Sequence, residues 1–150
     1  MDYLVLQLMA RKKKNIVIEN LAVEAVAAEG KSLARQDGQV IFIERTVPGD
    51  VVDVQIRKKR KAYSEGYPIK FHKYSDLRIS PICEHFGACG GCKWQNLAYD
   101  SQLAFKQQQV MDHLTRIGKV ELPEVAPIIG STKTDRYRNK LEFTFSNKKW

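Results

Sequence analysis

All three cysteines of this sequence fall within ten residues, Cys83-Glu-His-Phe-Gly-Ala-Cys89-Gly-Gly-Cys92, a C-x5-C-x2-C spacing. An odd count on one short stretch argues against a disulfide framework, and clustered thiols in an intracellular protein more often bind metal. Gly87, Gly90 and Gly91 let the backbone wrap closely, so that several sulfurs can converge on one centre. Thiolate-rich sites suit zinc or an iron–sulfur cluster. A cluster ordinarily takes four cysteines. Zinc would recruit His85 or His72 as its fourth ligand, although the two close ligand pairs of a typical structural zinc site are missing. On spacing alone both metals stay open.

The second chemistry is attraction to polyanions. Lys and Arg number 25 against 17 Asp and Glu, a formal charge of +8. Two runs concentrate it, Arg11-Lys12-Lys13-Lys14 and Arg57-Lys58-Lys59-Arg60-Lys61. Runs of this kind are commonly solvated surface, but two in one small basic chain point to phosphate contacts. Phe42, Tyr63, Tyr67 and Trp94 are candidates to stack on unpaired bases, each with a packing role as its plainer alternative. Residues 3–10 are apolar, but basic residues follow them, the reverse of a secretory leader. We expect Met9 to be the native start. No apolar run reaches the ~20 residues of a membrane span.

These groups need elements to hold them. Alternation at Ile16–Glu19, the β-rich stretch Gln39–Glu44, alternation at Val52–Arg57 and a run at Tyr67–Tyr74 predict short strands. Asp37-Gly38 marks a hairpin and Val47-Pro48-Gly49-Asp50 a type II turn. The stretch 23–29 is ambiguous between strand and helix. This pattern predicts a small OB-like barrel over residues 15–74, with the run 57–61 leaving a strand end. After the cysteines, a helix is expected over 100–118, capped by Asp100 or Ser101 and stopped at Gly118. Leu103, Gln107, Val110, Leu114 and Ile117 form its packing stripe. Residues 121–131 read as a connection. Tyr137 to Phe145 alternates as a two-faced strand, and Trp150 would begin its returning partner.

From Cys83 through Gln95, Tyr99, Gln102 and Lys106, the sequence closely resembles the cluster segment of RNA (uracil-5-)-methyltransferases. That pattern is Cys, five residues, Cys-Gly-Gly-Cys, two residues, Gln, then Tyr and a Gln–Lys helix. Residues 15–74 resemble the TRAM domain, an RNA-binding OB-like barrel, at Asp37-Gly38, Phe42 and Val47–Asp50, with Pro81 just before Cys83. Gly30 matches the first of a usual glycine pair, and Ser32 stands where the second small residue belongs. Tyr137-Arg138-Asn139-Lys140-Leu141-Glu142-Phe143 resembles the strand that opens the family's central domain.

The resemblance implies a mainly β fold with α. A basic extension (1–14) would precede the TRAM barrel (15–74), a cluster loop (75–99), one long helix (100–118) and the start of a second α+β domain (119–150). It implies a [4Fe–4S] cluster on Cys83, Cys89 and Cys92, with a fourth ligand beyond Trp150. The family moves a methyl group from S-adenosylmethionine to C5 of a uridine in RNA. A cysteine thiolate adds to C6, the methyl arrives at C5, and a base removes the C5 proton. The residues for that chemistry and for the methyl donor lie in the family's C-terminal domain, so no catalytic or donor-binding residue is expected in this chain. Phosphate contacts are expected from Lys12–Lys14, Arg57–Lys61, Arg138 and Lys140. The partner is expected to be RNA, ribosomal ahead of transfer, bound by a cytoplasmic monomer with no membrane contact. The rival reading is a stand-alone zinc-binding RNA module. Radical S-adenosylmethionine enzymes use C-x3-C-x2-C, from which this spacing departs.

Overall fold

The structure, a computed structural model, describes residues 16–137 and residue 140. Six strands form one sheet: β1 (Ile16–Ala22), β2 (Ala25–Val26), β3 (Ser32–Gln36), β4 (Gln39–Ile43), β5 (Val51–Lys59) and β6 (Tyr63–Lys73). Their order across the sheet is β1-β5-β6-β4-β3-β2. Neighbours are antiparallel except β4 and β6, which run parallel. The two outermost strands in that order are successive in the chain. Between them, the Val23 N–H donates to the Asp50 carbonyl and the Glu24 N–H to the Leu33 carbonyl, both at 2.9 Å. The Gly49 N–H returns a bond to the Val23 carbonyl, also 2.9 Å. The stretch 23–29 that read ambiguously is thus extended as far as Val26, pairing toward both edges, and then enters a 3-10 turn at Ala28–Gly30; the sheet closes as the expected OB-like barrel.

Alternation along the strands builds the interior. Ile41 and Ile43 of β4, Val52 and Val54 of β5, and Ala34 of β3 are buried, with Leu21 and Val23 beside them. Ile18, Ile56 and Phe71 pack against this cluster. Each fully buried aliphatic side chain contributes about 1.5–3 kcal/mol relative to exposure. The turns hold the register. Asp37 and Gly38 both have positive φ, 50° and 75°, as a two-residue I′ hairpin requires. Gly49 has φ 93° and the Asp50 N–H donates to the Val47 carbonyl at 3.1 Å, giving the expected type II turn.

Beyond the barrel the chain is mostly irregular. One isolated bridge, Arg78 with Leu97, closes the base of the cysteine loop. Helix α1 spans Tyr99–Asp112, and one π-helical turn continues it over His113–Ile117. Its N-cap is Ala98, not Asp100 or Ser101. No side chain caps it; Gln102 instead ties the helix to the preceding loop, its Nε2 donating to the carbonyls of Trp94 (3.0 Å) and Leu97 (2.8 Å). The expected packing stripe is corrected as well. Val110 and Ile117 are 56% and 76% exposed, and α1 buries no residue fully. Gln107, on that stripe, instead holds a strap of extended chain: it accepts from the Ile128 N–H and donates to the Ala126 carbonyl. Tyr99 accepts from the Ser131 N–H further along the strap. Residues 138–139 and 141–150, with most of the predicted Tyr137–Phe145 strand, lie outside the described residues.

Candidate nucleic-acid interface and cysteine loop

The outward positions of β4, β5 and β6 form one side of the barrel. Parallel register sets Val40 beside Tyr63 and Phe42 beside Glu65; antiparallel register sets Gln55 beside Tyr67 and Lys58 beside Glu65. Phe42 meets Tyr63 edge-on at 5.6 Å. The Arg57 guanidinium lies over the Tyr67 ring, 4.0 Å from its centre, and the Tyr67 hydroxyl donates to Gln55 Oε1 at 2.7 Å. Glu65 draws in two lysines, Lys58 at 3.0 Å and Lys31 at 3.4 Å. The hydrogen bond from Lys58, followed by the charges of both lysines, holds the Glu65 carboxyl below its ordinary range. For Lys31, partial burial opposes the charged form, but Glu65 and Glu29 outweigh it and raise the ammonium. A cleft of about 180 Å³ opens here, lined by Lys31, Phe42, Arg57, Lys58, Glu65 and Tyr67 among others.

The basic run 57–61 therefore divides. Arg57 and Lys58 belong to β5 and face partners on the barrel. Lys59, the last residue of β5, and Arg60 and Lys61 of the turn that follows are exposed, and among the described residues their side chains form no salt bridge. Lys140 is exposed, whereas Lys12, Lys13, Lys14 and Arg138 lie outside the described residues. Of the four aromatics, Phe42, Tyr63 and Tyr67 share the barrel face. Trp94 sits apart, half-buried, with the Lys106 ammonium 5.7 Å from its ring centre. Sequence reasoning missed Lys31 and Glu65. The alternation Tyr63, Glu65, Tyr67 was available, but starting the strand at Tyr67 hid it.

A buried ion pair joins barrel and cysteine loop. Asp50, fully buried after the type II turn, accepts from the Val47 and Ser75 N–H groups at 2.8 and 2.9 Å. Arg78 completes its shell with a two-pronged contact, Nε to Oδ1 at 2.8 Å and Nη2 to Oδ2 at 2.7 Å. The same guanidinium lies over Phe71 and Tyr74, which stack at 4.8 Å. Neither Asp50 nor Arg78 was singled out from sequence, because only the fold brings them together. A second junction is Gly30, whose φ is 71°: a Cβ there would stand 2.4 Å from Lys93 Cβ. Only glycine lets the barrel and loop backbones approach so closely.

Within the loop, the Cys83 N–H donates to Gln95 Oε1 and the Gln95 Nε2 donates to Cys92 Sγ, both at 3.2 Å. The Gly91 N–H points at Cys89 Sγ, 3.5 Å away. All three thiols are free; Cys89 and Cys92 are exposed and Cys83 half-buried. The donor set fits a thiolate-bound metal group: soft ligands, adjoining N–H donors of the kind that stabilise thiolate charge, and glycines of positive φ at 87 and 90. Among the described residues, no three His, Cys, Asp or Glu side chains are gathered closely enough to hold an ion as they stand. His72 is engaged elsewhere, its Nε2 2.6 Å from Asp53 Oδ1 on the barrel. His85 lies beside Glu84 at 3.8 Å.

Residues 10–69 match the model of the TRAM domain. A protein of Bacteroides thetaiotaomicron named as an uncharacterized RNA methyltransferase is 58% identical over 125 residues, 83% of this chain and 28% of its own length. A 23S rRNA (uracil(1939)-C(5))-methyltransferase RlmD of Acidithiobacillus ferrooxidans is 38% identical over 138 residues, 91% of this chain and 31% of its own. The RlmD of Albidiferax ferrireducens is 35% identical over 144 residues, 92% and 30% respectively. The chain thus spans less than a third of the length of these curated relatives. Its residues 10–69 are similar to TRAM domains and, over most of its residues, the chain is similar to proteins named RNA methyltransferase.

Proposed function

We propose that this chain is the RNA-binding and cluster-bearing portion of an S-adenosylmethionine-dependent RNA (uracil-5-)-methyltransferase that acts on ribosomal RNA in the cytoplasm. The observation that carries the reading is continuity. Similarity to RNA methyltransferases runs from the TRAM barrel through the cysteine loop into the helix, not over the barrel alone. The barrel's part is to hold RNA. Lys59, Arg60 and Lys61 stand exposed at the end of β5 and in the turn that follows, beside an aromatic face, an arrangement suited to phosphates and unpaired bases.

Cys83, Cys89 and Cys92 would hold a [4Fe–4S] cluster, with the fourth ligand from outside residues 1–150. When bound, such a cluster cross-links the loop to the segment that supplies that ligand. Gln95 sets the spacing of Cys83 and Cys92 and offers an N–H to the Cys92 sulfur, while Gly91 offers one to Cys89. Methyl transfer itself is assigned to residues outside this stretch.

The test is to purify the full-length protein anaerobically and incubate it with labelled methyl donor and unmodified ribosomal or transfer RNA. 5-Methyluridine in ribosomal RNA is expected, with iron and sulfide in equal amounts. Methylation confined to transfer RNA would overturn the target. Absence of 5-methyluridine from both would overturn the activity, and stoichiometric zinc without iron would overturn the cluster.

A further inference from the structure

We propose that the cleft between Lys31, Phe42, Arg57, Glu65 and Tyr67 takes one unstacked nucleobase of a single-stranded RNA segment and reads its amino-bearing edge with the Glu65 carboxylate. The proposal deepens the RNA-binding reading of the barrel and rests on it. Size comes first. At about 180 Å³ the cleft is smaller than the ~300–1,000 Å³ of sites for drug-sized ligands, and suits one planar ring rather than two. The walls offer flat surfaces. Phe42 is propped edge-on by Tyr63, and the Arg57 guanidinium is backed by the Tyr67 ring at 4.0 Å. Bases stack on both kinds of surface.

Glu65 supplies the discrimination. A carboxylate has about four acceptor positions; Lys58 occupies one at Oε1 and Lys31 one at Oε2. The remaining ones are left for a ligand with N–H donors, and the hydrogen bond from Lys58 and the charges of the two lysines favour the ionised form. Cytosine, adenine and guanine carry exocyclic amino groups that a carboxylate can accept from, whereas uracil has none. Phosphates on either side of the base would then be met by cations outside the cleft, Lys59, Arg60 and Lys61 at the adjoining strand end and turn.

The test uses the full-length protein and fluorescent single-stranded RNA heptamers, all uridine or with one central cytidine, guanosine or adenosine, at low salt. Tighter binding of the cytidine, guanosine and adenosine heptamers than of all-uridine is expected. Phe42→Leu, which keeps an apolar side chain but removes the ring, should weaken binding on the order of tenfold. Glu65→Gln should flatten the preference among central bases while affinity for all-uridine changes little. Circular dichroism confirms that each variant is folded. Replacing Lys59, Arg60 and Lys61 together by alanine should reduce the salt slope and leave the base preference intact. If the wild type binds no heptamer at low salt, the RNA-binding reading itself fails. If it binds with a steep salt slope but shows no base preference, or Glu65→Gln leaves the preference unchanged, the cleft assignment is overturned and RNA binding stands.

Discussion

The barrel and the region that follows it are held together by different physics. Residues 16–73 close a sheet over aliphatic side chains of near-zero exposure, with turns whose φ values match their residues. From residue 76 onward, Leu97 and Asn96 are the buried residues among those described, and of the two only Leu97 is fully so. Here order comes from polar clamps: Arg78 on Asp50, Gln95 between two cysteines, Gln102 and Gln107 on backbone carbonyls, Tyr99 on Ser131. Hydrophobic burial gives a domain its own stability, whereas clamps hold a shape that something else must support. A metal group on the cysteines would be one such support.

The contrast can be broken most forcefully at the junction. Arg78→Ala would leave Asp50 charged, buried and short of its partner, which costs about 3–5 kcal/mol. Urea unfolding should register that loss, and a change below about 1 kcal/mol would show the junction to be incidental. Inside the barrel, Ile43→Ala should cost about 3 kcal/mol through lost burial and the cavity left behind. Val110→Ala on the open face of α1 should cost less than about 0.5 kcal/mol. Comparable losses at both positions would erase the distinction drawn here.

A smaller effect is expected at the cysteines. Gln95→Leu removes the bridge between the Cys83 backbone and the Cys92 sulfur. Iron retained against a chelator should fall about tenfold, the scale on which outer-shell partners act, with barrel stability unchanged. Unaltered retention would mean the loop orders without Gln95.

The smallest effect concerns pH. The Asn20 N–H, then His72, hold the Asp53 carboxyl below its ordinary 3.8, and Lys58 holds Glu65 below 4.5. Both are depressed in the folded state, so the unfolded chain binds protons first as pH falls. Their contribution is present above those ordinary values and is lost as pH drops through the lower folded ones. Melting temperature should therefore decline below about pH 4.5, and less so in Asp53→Asn. An identical decline in that variant would remove Asp53 from the account.

Legibility followed the same division. Barrel, hairpin and type II turn were readable because period-2 burial and the Asp-Gly and Pro-Gly pairs act locally. The stretch 23–29 was not, since an alanine-rich stretch carries little period, and its pairing depends on partners at 33 and 50. The helix cap was misplaced because the helix starts at Tyr99, ahead of Asp100 and Ser101, and the tie from Gln102 back to Trp94 and Leu97 depends on a loop path that no local signal announces. Its apolar stripe implied burial that no described element supplies. Of the candidate site, the cysteines and the basic run stood out by type and spacing. Lys31, Glu65, Asp50 and Arg78 did not, because each works with a partner 28 or more residues away or across strands.

The closure at Val23 and Glu24 bears on how this barrel can keep company at all. The join is local, three backbone bonds around Val23 and Glu24, and β1 and β2 remain the outer strands of the sheet. Neither makes a good template: β1 breaks register between Ile18 and Leu21, where Asn20 has φ 52°, and β2 is two residues long. Short and irregular edges of this kind discourage edge-to-edge pairing of one barrel with another.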